Sequence, residues 1–356
     1  MSEQNLVEPA AIRERMAADG FCGPLDAGVS QAQCAMVARA IEAMIDGREA
    51  HPLYRRFSVR DWHLLNRDFL DLLTAPKVLR AVSTVLGDSF KLWRSKIFLK
   101  APGEAPLGWH QEWGAFNGEE IGNDVPALVP AAGRENSAWN LTVWMPLSDV
   151  DPTMGPIRFA RGSHRRRFPI EMRPLTEAEF YVDPFREIHD FDELVARIRD
   201  DSLCLDIPTA SYLDDVDPRG FTFDQLCAFT RKKLEHARGA VTLDFHEEEQ
   251  DIVSLPMRAG EFVIFSERCM HGSSANLSPR NRIGINARFT FSDTTIYPVR
   301  NTSTPIDGSN LDISDHRSVQ IGEDRRYLDS ATVRLSDLQA ELSSIAMHRF
   351  EPALGA

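Results

Sequence analysis

Two pairs in this 356-residue chain have the His-x-acid spacing that lets one extended strand show an imidazole and a carboxylate on the same face: His110 with Glu112, and His246 with Glu248. Ten histidines and 53 acidic residues predict about 1.5 such pairs by chance, so spacing alone decides nothing. The flanks separate them. His246 stands in "DFHEEEQDI", which reads as a solvated acidic turn, whereas His110 stands in the aromatic frame "PLGWHQEWGAF". Two ligands from one strand leave a divalent metal short of partners. His271, at the end of "GEFVIFSERCM", is the third candidate, brought close by closure of a barrel. Two histidines and a carboxylate on one face of an octahedron suit non-haem Fe(II), because three positions stay open for a chelating co-substrate and for O2. Zinc prefers a nearly closed tetrahedron. Arg282, on the following run "RIGINARF", offers a planar fork for the far carboxylate of 2-oxoglutarate, and Ser273 offers that carboxylate a hydroxyl.

Other residues near these carry two readings each. Arg288 shares a strand face with Arg282, placed either to reach the substrate or the iron-side end of the co-substrate, or to pair with a buried carboxylate. Trp109 and Trp113 are either core aromatics or substrate-facing rings. Lys96 and Lys100 read as strand-edge lysines, and His164 in "ARGSHRRR" as a residue that fixes a turn.

These residues need strands to hold them. From about residue 10 to 86 the pattern is helical, with Ser30 placed to cap "QAQCAMVARAIEAMI". Short β-type runs follow: "SFKLWRSKIFLK", "WNLTVWMPLSDV", "PIRFARGSH", "GAVTLDF", "DIVSLPM", "GEFVIFSERCMHGS" and "RIGINARFTFSD". Such a series after leading helices predicts a mainly β protein with flanking helices and a double-stranded β-helix core of the jelly-roll or cupin type. One domain over 1–356 is expected, with helical support at 10–90, core at 91–167 and 237–297, and a C-terminal extension at 298–356. The segment 168–236 interrupts the strand series and reads as a lid, with Phe180, Tyr181, Phe185, Arg186 and Tyr212 facing a substrate.

A net charge of −13 opposes binding to nucleic acid or to an anionic membrane, and disfavours an acidic carrier protein. No run of eighteen apolar residues occurs, and the acidic first residues lack the pattern of a secretory signal, so a cytoplasmic protein with a small-molecule substrate is expected. Five scattered cysteines without a CxxC pair predict buried thiols rather than a disulfide framework.

The pieces "WHQEW", "LTVWMPLSD", "GPIRFARGSH" and "MHGSSANLSPRNRIGINARF" resemble the phytanoyl-CoA dioxygenase superfamily of Fe(II)- and 2-oxoglutarate-dependent oxygenases, over most of residues 93 to 292. The wording around "KAPGEAPLGWHQE" is closest to the branch that includes the iron-dependent halogenases. The resemblance implies that His110, Glu112 and His271 are iron ligands, that Arg282 anchors 2-oxoglutarate, and that Thr142 and Trp144 line the co-substrate pocket. It implies oxidation of an unactivated C–H bond with release of succinate and CO2. The family mostly has Asp where this chain has Glu112, and its halogenating members have a small residue there that admits a halide. A retained carboxylate therefore points to hydroxylation or a related oxidation of a polar molecule such as an amino-acid derivative or natural-product intermediate. A halogenase acting on a carrier-tethered substrate and a non-catalytic, metal-binding jelly roll are the alternatives.

Overall fold

The computed structural model describes residues 8–48, 50–112, 127–134, 137, 140–178, 181–186, 188–204, 207–298, 300, 307 and 311–344. Trp113 and Phe180, two of the substrate candidates, lie outside the described residues. Four helices lead: α1 (Pro9–Asp19), α2 (Gln31–Gly47), α3 (Arg67–Leu73) and α4 (Pro76–Leu86). Ser30 caps α2 as expected, its hydroxyl accepting from the Gln33 N–H at 3.2 Å while the Gln33 side chain accepts from the Ser30 N–H at 2.9 Å. In α4, Val78, Ala81, Val82 and Leu86 fall on one helical face, and all four are buried. Later come α5 (Phe191–Arg199), α6 (Phe223–Leu234) and α7 (Leu335–Ser344).

The first strands are β1 (Phe21–Asp26), β2 (Phe90–Lys100), β3 (Leu107–His110), β4 (Leu128–Val129) and β5 (Asn140–Pro146). Next are β6 (Ile157–Ala160), β7 (Ile170–Pro174), β8 (Arg238–Thr242), β9 (Ile252–Leu255) and β10 (Glu261–Ser266). The last are β11 (His271–Ser273), β12 (Arg282–Phe291), β13 (Thr295–Ile296), β14 (Ser318–Ile321) and β15 (Thr332–Arg334). Seven form a large sheet in the order β1-β10-β5-β12-β2-β14-β15, and four a small one in the order β3-β11-β6-β9. This is a jelly roll of two sheets. Among the described residues no strand pairing joins the two sheets, so they do not close into a barrel; His110 and His271 meet because β3 pairs with β11. The helical reading of 10–86 also needs amending, since it contains β1, paired with β10 at the edge of the large sheet. Six residues interrupted by Pro24 escape a helix-period window, and an edge strand tolerates the proline.

The large sheet has two different faces, and alternation along its strands explains both. Leu141, Val143 and Met145 of β5, Phe262 and Ile264 of β10, and Ile283, Ile285, Ala287 and Phe289 of β12 share one core with α1 to α4. The alternate residues Trp144, Val263 and Phe265 pack instead with Ile157 and Phe159 of β6 and Leu255 of β9, so the small sheet covers this second face. On β12 the residues of that face are Arg282, Gly284, Asn286, Arg288 and Thr290, all but the glycine polar and buried. Opposite them, β2 carries one extra residue: Arg288 pairs with Arg94 and Phe289 with Leu92, leaving Trp93 as a bulge.

Between β6 and β9, β7 and β8 form a separate antiparallel ribbon, and α5 and α6 bury Leu194, Ile198, Leu226 and Leu234 in an apolar cluster of their own. Phe185 and Tyr212, expected to face a substrate, pack into that cluster, because two short amphipathic helices need aromatic filling between them. Arg186 donates to the Gly103 carbonyl at 3.2 Å, tying this segment to the loop after β2. All five cysteines are buried and unpaired. Among the described residues no helix is long and apolar enough to cross a membrane.

Candidate metal centre

His271 on β11 is the register partner of His110 on β3, and the two rings lie side by side with centroids 4.3 Å apart. Gly272 allows this approach: a Cβ there would stand 2.6 Å from the Leu107 carbonyl oxygen. Phe265 and Phe159 pack on His271, with centroids 4.7 and 6.2 Å away. Each imidazole is oriented by its own strand. His110 Nδ1 lies 2.9 Å from the Gly108 carbonyl and His271 Nδ1 2.9 Å from that of Cys269. A carbonyl only accepts, so both Nδ1 atoms carry a proton, and Nε2 is the atom of each ring that is placed to ligate a metal. Burial, and then the neighbouring His110, pull His271 down to about 3, which keeps its ring neutral and fit to bind a cation.

Glu112 follows β3, its N–H donating to the Glu267 carbonyl at 2.9 Å. Its Oε1 accepts from Arg288 Nη2, while its Oε2 is buried with no hydrogen-bond partner. Burial alone would raise this carboxyl; Arg288, His271 and His110 outweigh it and hold the group at about 2, ionised. Beside it Glu267 is buried too, and burial and the charge of Glu112 push its carboxyl well above the usual range. The donor set of two imidazoles and one carboxylate with a buried, unpartnered oxygen suits a divalent cation. Among the described residues, however, no three His, Cys, Asp or Glu side chains are drawn together as a metal-holding cluster; Glu112 is turned to Arg288 instead.

The residues flanking His110 hold the strand in place. Gln111 points away from the centre, donating to the carbonyls of Arg166 (2.8 Å) and Arg268 (2.7 Å) and accepting from the Phe168 N–H (3.0 Å). Trp109 also lies on the outer side, donating to Glu247 at 2.7 Å and lying beneath the Arg158 guanidinium, so of its two readings the packing role applies. His164 accepts its turn role, with Nε2 3.2 Å from the Ala17 carbonyl. His246 and Glu248 are exposed.

Further along the same inner face lies a cationic end. Arg282 is buried, donates from Nη1 to the Gly155 carbonyl at 2.8 Å, and sits 5.4 Å over the Trp144 ring; its Nε has no hydrogen-bond partner. Burial, opposed by Glu104, lowers it to about 10. Gly284 makes room for the indole, since a Cβ there would come within 2.5 Å of the Trp144 ring. Lys100, the register partner of Arg282, was expected to be an edge residue but is buried, bonding to the Ala105 carbonyl and lying 3.7 Å from Glu104. Burial draws it down to about 8. The sequence signal was its place in "RSKIFLK", where alternation puts it on the face of Lys96 and Phe98. The Ser273 hydroxyl is buried without a partner, as is that of Thr142, which stands opposite Arg288 rather than Arg282. Two buried cations with an unpartnered Arg282 Nε can receive an anionic ligand. Tyr181, half-buried in the inserted segment, has its N–H bound to the Ala178 carbonyl at 2.9 Å.

The family model described as phytanoyl-CoA dioxygenase (PhyH) matches residues 16–284. Among curated proteins, none matches the sequence significantly. Among solved structures, the chain resembles CytC3 with Fe(II) and α-ketoglutarate at 17% identity and a TM-score of 0.57, over 90% of each chain. It also resembles the apo form of the non-heme monooxygenase ThoJ (16%, TM-score 0.54, covering 94% of this chain and 92% of that one). A third is the epimerase SnoN in complex with Fe3+, α-ketoglutarate and nogalamycin RO (16%, TM-score 0.50, 84% and 91%). At these identities the likeness is one of fold.

Proposed function

The chain belongs to the phytanoyl-CoA dioxygenase family, and from that premise we propose that it is an Fe(II)- and 2-oxoglutarate-dependent oxygenase. The reaction we assign is hydroxylation, or a related oxidation, of an unactivated C–H bond in a small polar molecule. The carrying observation is the in-register pair of His110 and His271, each with Nδ1 tied to its own strand and Nε2 left for a metal, beside ionised Glu112. When bound, iron and 2-oxoglutarate supply the oxidising power, consuming O2 and releasing succinate and CO2.

In this reading the protein's own task is placement. His110, Glu112 and His271 hold the iron on one side. Arg282 grips the far carboxylate of 2-oxoglutarate as a planar fork, with Lys100 adding positive charge and Thr142, Ser273 and Trp144 completing the wall. The aromatic packing of Phe159 and Phe265 on His271 keeps water from that side. Glu112 retains a carboxylate in the position that a halide would need, which favours hydroxylation over halogenation. The inserted segment, with Tyr181, selects the substrate.

One experiment tests these roles together. Anaerobic addition of 2-oxoglutarate to the Fe(II)-loaded protein should develop a visible charge-transfer band, and Glu112→Ala should abolish it. Aerobic incubation with candidate molecules should yield succinate and a product one oxygen heavier by mass spectrometry. Tyr181→Ala should slow that turnover with the band unchanged. A wild-type protein that neither retains iron nor develops the band contradicts the proposal.

A further inference from the structure

Of the three side chains assigned to iron, two are set and one is engaged elsewhere. The histidines have their Nδ1 atoms fixed by carbonyls, whereas Glu112 Oε1 is bonded to Arg288. Both partners of this ion pair are largely buried, with side chains 14% and 9% exposed, so their attraction is only weakly screened. A cation entering beside the histidines must therefore take Glu112 from Arg288 and tolerate a guanidinium nearby. The second oxygen, Oε2, is buried without a partner and is the atom through which the exchange can begin. Glutamate suits such a move better than aspartate, because its extra methylene adds a rotatable bond and hence two places for the carboxylate.

We propose that Arg288 is a positioning residue that latches Glu112 until a divalent metal takes the carboxylate, so that metal loading and completion of the ligand set are one event. The proposal rests on the assignment of His110, Glu112 and His271 to the metal. It has a sign that a merely supporting role lacks. An arginine that only orients Glu112 helps metal binding, whereas a latch opposes it.

The test uses the full chain stripped of metal and titrated with Co(II), followed by ligand-field absorption, with thermal unfolding measured with and without the metal. Arg288→Gln removes the charge and keeps a polar side chain of related shape. It should lower the melting temperature without metal, because Glu112 loses its counter-charge, and should bind Co(II) about tenfold more tightly than wild type. The Co(II)-induced rise in melting temperature should be larger than in wild type. Arg288→Lys, which keeps the charge but loses the fork, should fall between the two. Equal or weaker Co(II) binding in Arg288→Gln, while wild type binds one equivalent, overturns the latch and leaves the oxygenase reading standing. Should that variant not fold, Arg288→Lys decides: affinity no better than wild type overturns the latch. Wild type that binds no Co(II), or Glu112→Ala that binds it as tightly as wild type, refutes the ligand assignment and the latch with it.

Discussion

Arg94 and Arg288 are register partners on β2 and β12, yet they serve two different buried clusters. Arg94 bonds to Asp307 and to the Tyr297 hydroxyl and lies 3.9 Å from Asp61. Asp61 in turn accepts from the Tyr54 hydroxyl and from the Ser95 N–H at 2.9 Å, and Asp307 accepts from the Leu311 N–H at 3.0 Å. Every carboxylate oxygen in this first cluster has a partner. Around Arg288, by contrast, Glu112 Oε2, Glu267 Oε2, Thr142 Oγ1 and Asn286 Oδ1 have none. Burial and charge are therefore common to both places, and so are unpartnered nitrogens, Arg94 Nε among them; the satisfaction of the acceptor oxygens distinguishes the two. Carboxylates with every oxygen partnered hold distant residues together, here Tyr54 and Asp61 with Tyr297 and Asp307, while unpartnered acceptors leave room for a ligand.

The largest effect expected from this contrast is on stability. Arg94→Ala should cost about 3–5 kcal/mol in chemical unfolding, since it leaves Asp307 and Asp61 buried without their counter-charge. The contrast breaks if the loss is below 1 kcal/mol, within the range of an exposed pair. Next, Arg282→Ala should weaken 2-oxoglutarate binding by about 2–3 kcal/mol, read as a dissociation constant, with far less effect on unfolding than Arg94→Ala. Arg282→Lys should recover part of that affinity, as a point charge replaces a fork. Unfolding losses as large as those of Arg94→Ala would move Arg282 into the architectural class. The smallest effect is expected from Gly284→Ala, which should cost about 1–2 kcal/mol by overpacking against Trp144 and shift the tryptophan fluorescence. Unaltered emission and 2-oxoglutarate affinity would show that the indole does not depend on this glycine.

The open cluster was more legible in the sequence than the closed one. His110 and Glu112 share a strand face by spacing, and "GEFVIFSERCMHGS" followed by "RIGINARF" announces the strands that carry His271 and Arg282. These candidate site residues sit at strand ends in short motifs, so local pattern is enough. The closed cluster joins Tyr54 and Asp61 to Asp307 and His316 across some 250 residues, and no local period encodes such a pairing. The buried place of Lys100 depends on which strands flank β2, and the engagement of Glu112 by Arg288 on a pairing 176 residues apart. Alternatives for Arg288 could be stated from sequence, but only the fold put the carboxylate beside it. Openness of the two sheets was equally invisible, because periodicity reports the face of a strand and not how far a sheet extends.

The bulge at Trp93 gives β2 a change of phase. On one side of it the even-numbered Phe90 and Leu92 reach the helical core, and on the other the odd-numbered Ile97 and Leu99 do so. The strand thus keeps one apolar side although its numbering changes parity midway. Removing one residue at this point, without altering any other, would put the two halves out of step: either the apolar pair Phe90 and Leu92 turns from the helices, or Lys96 and Lys100 turn into them. The polarity of the whole inner wall is in this sense counted from a single inserted residue, ten positions and more before His110, the first residue of the candidate metal centre.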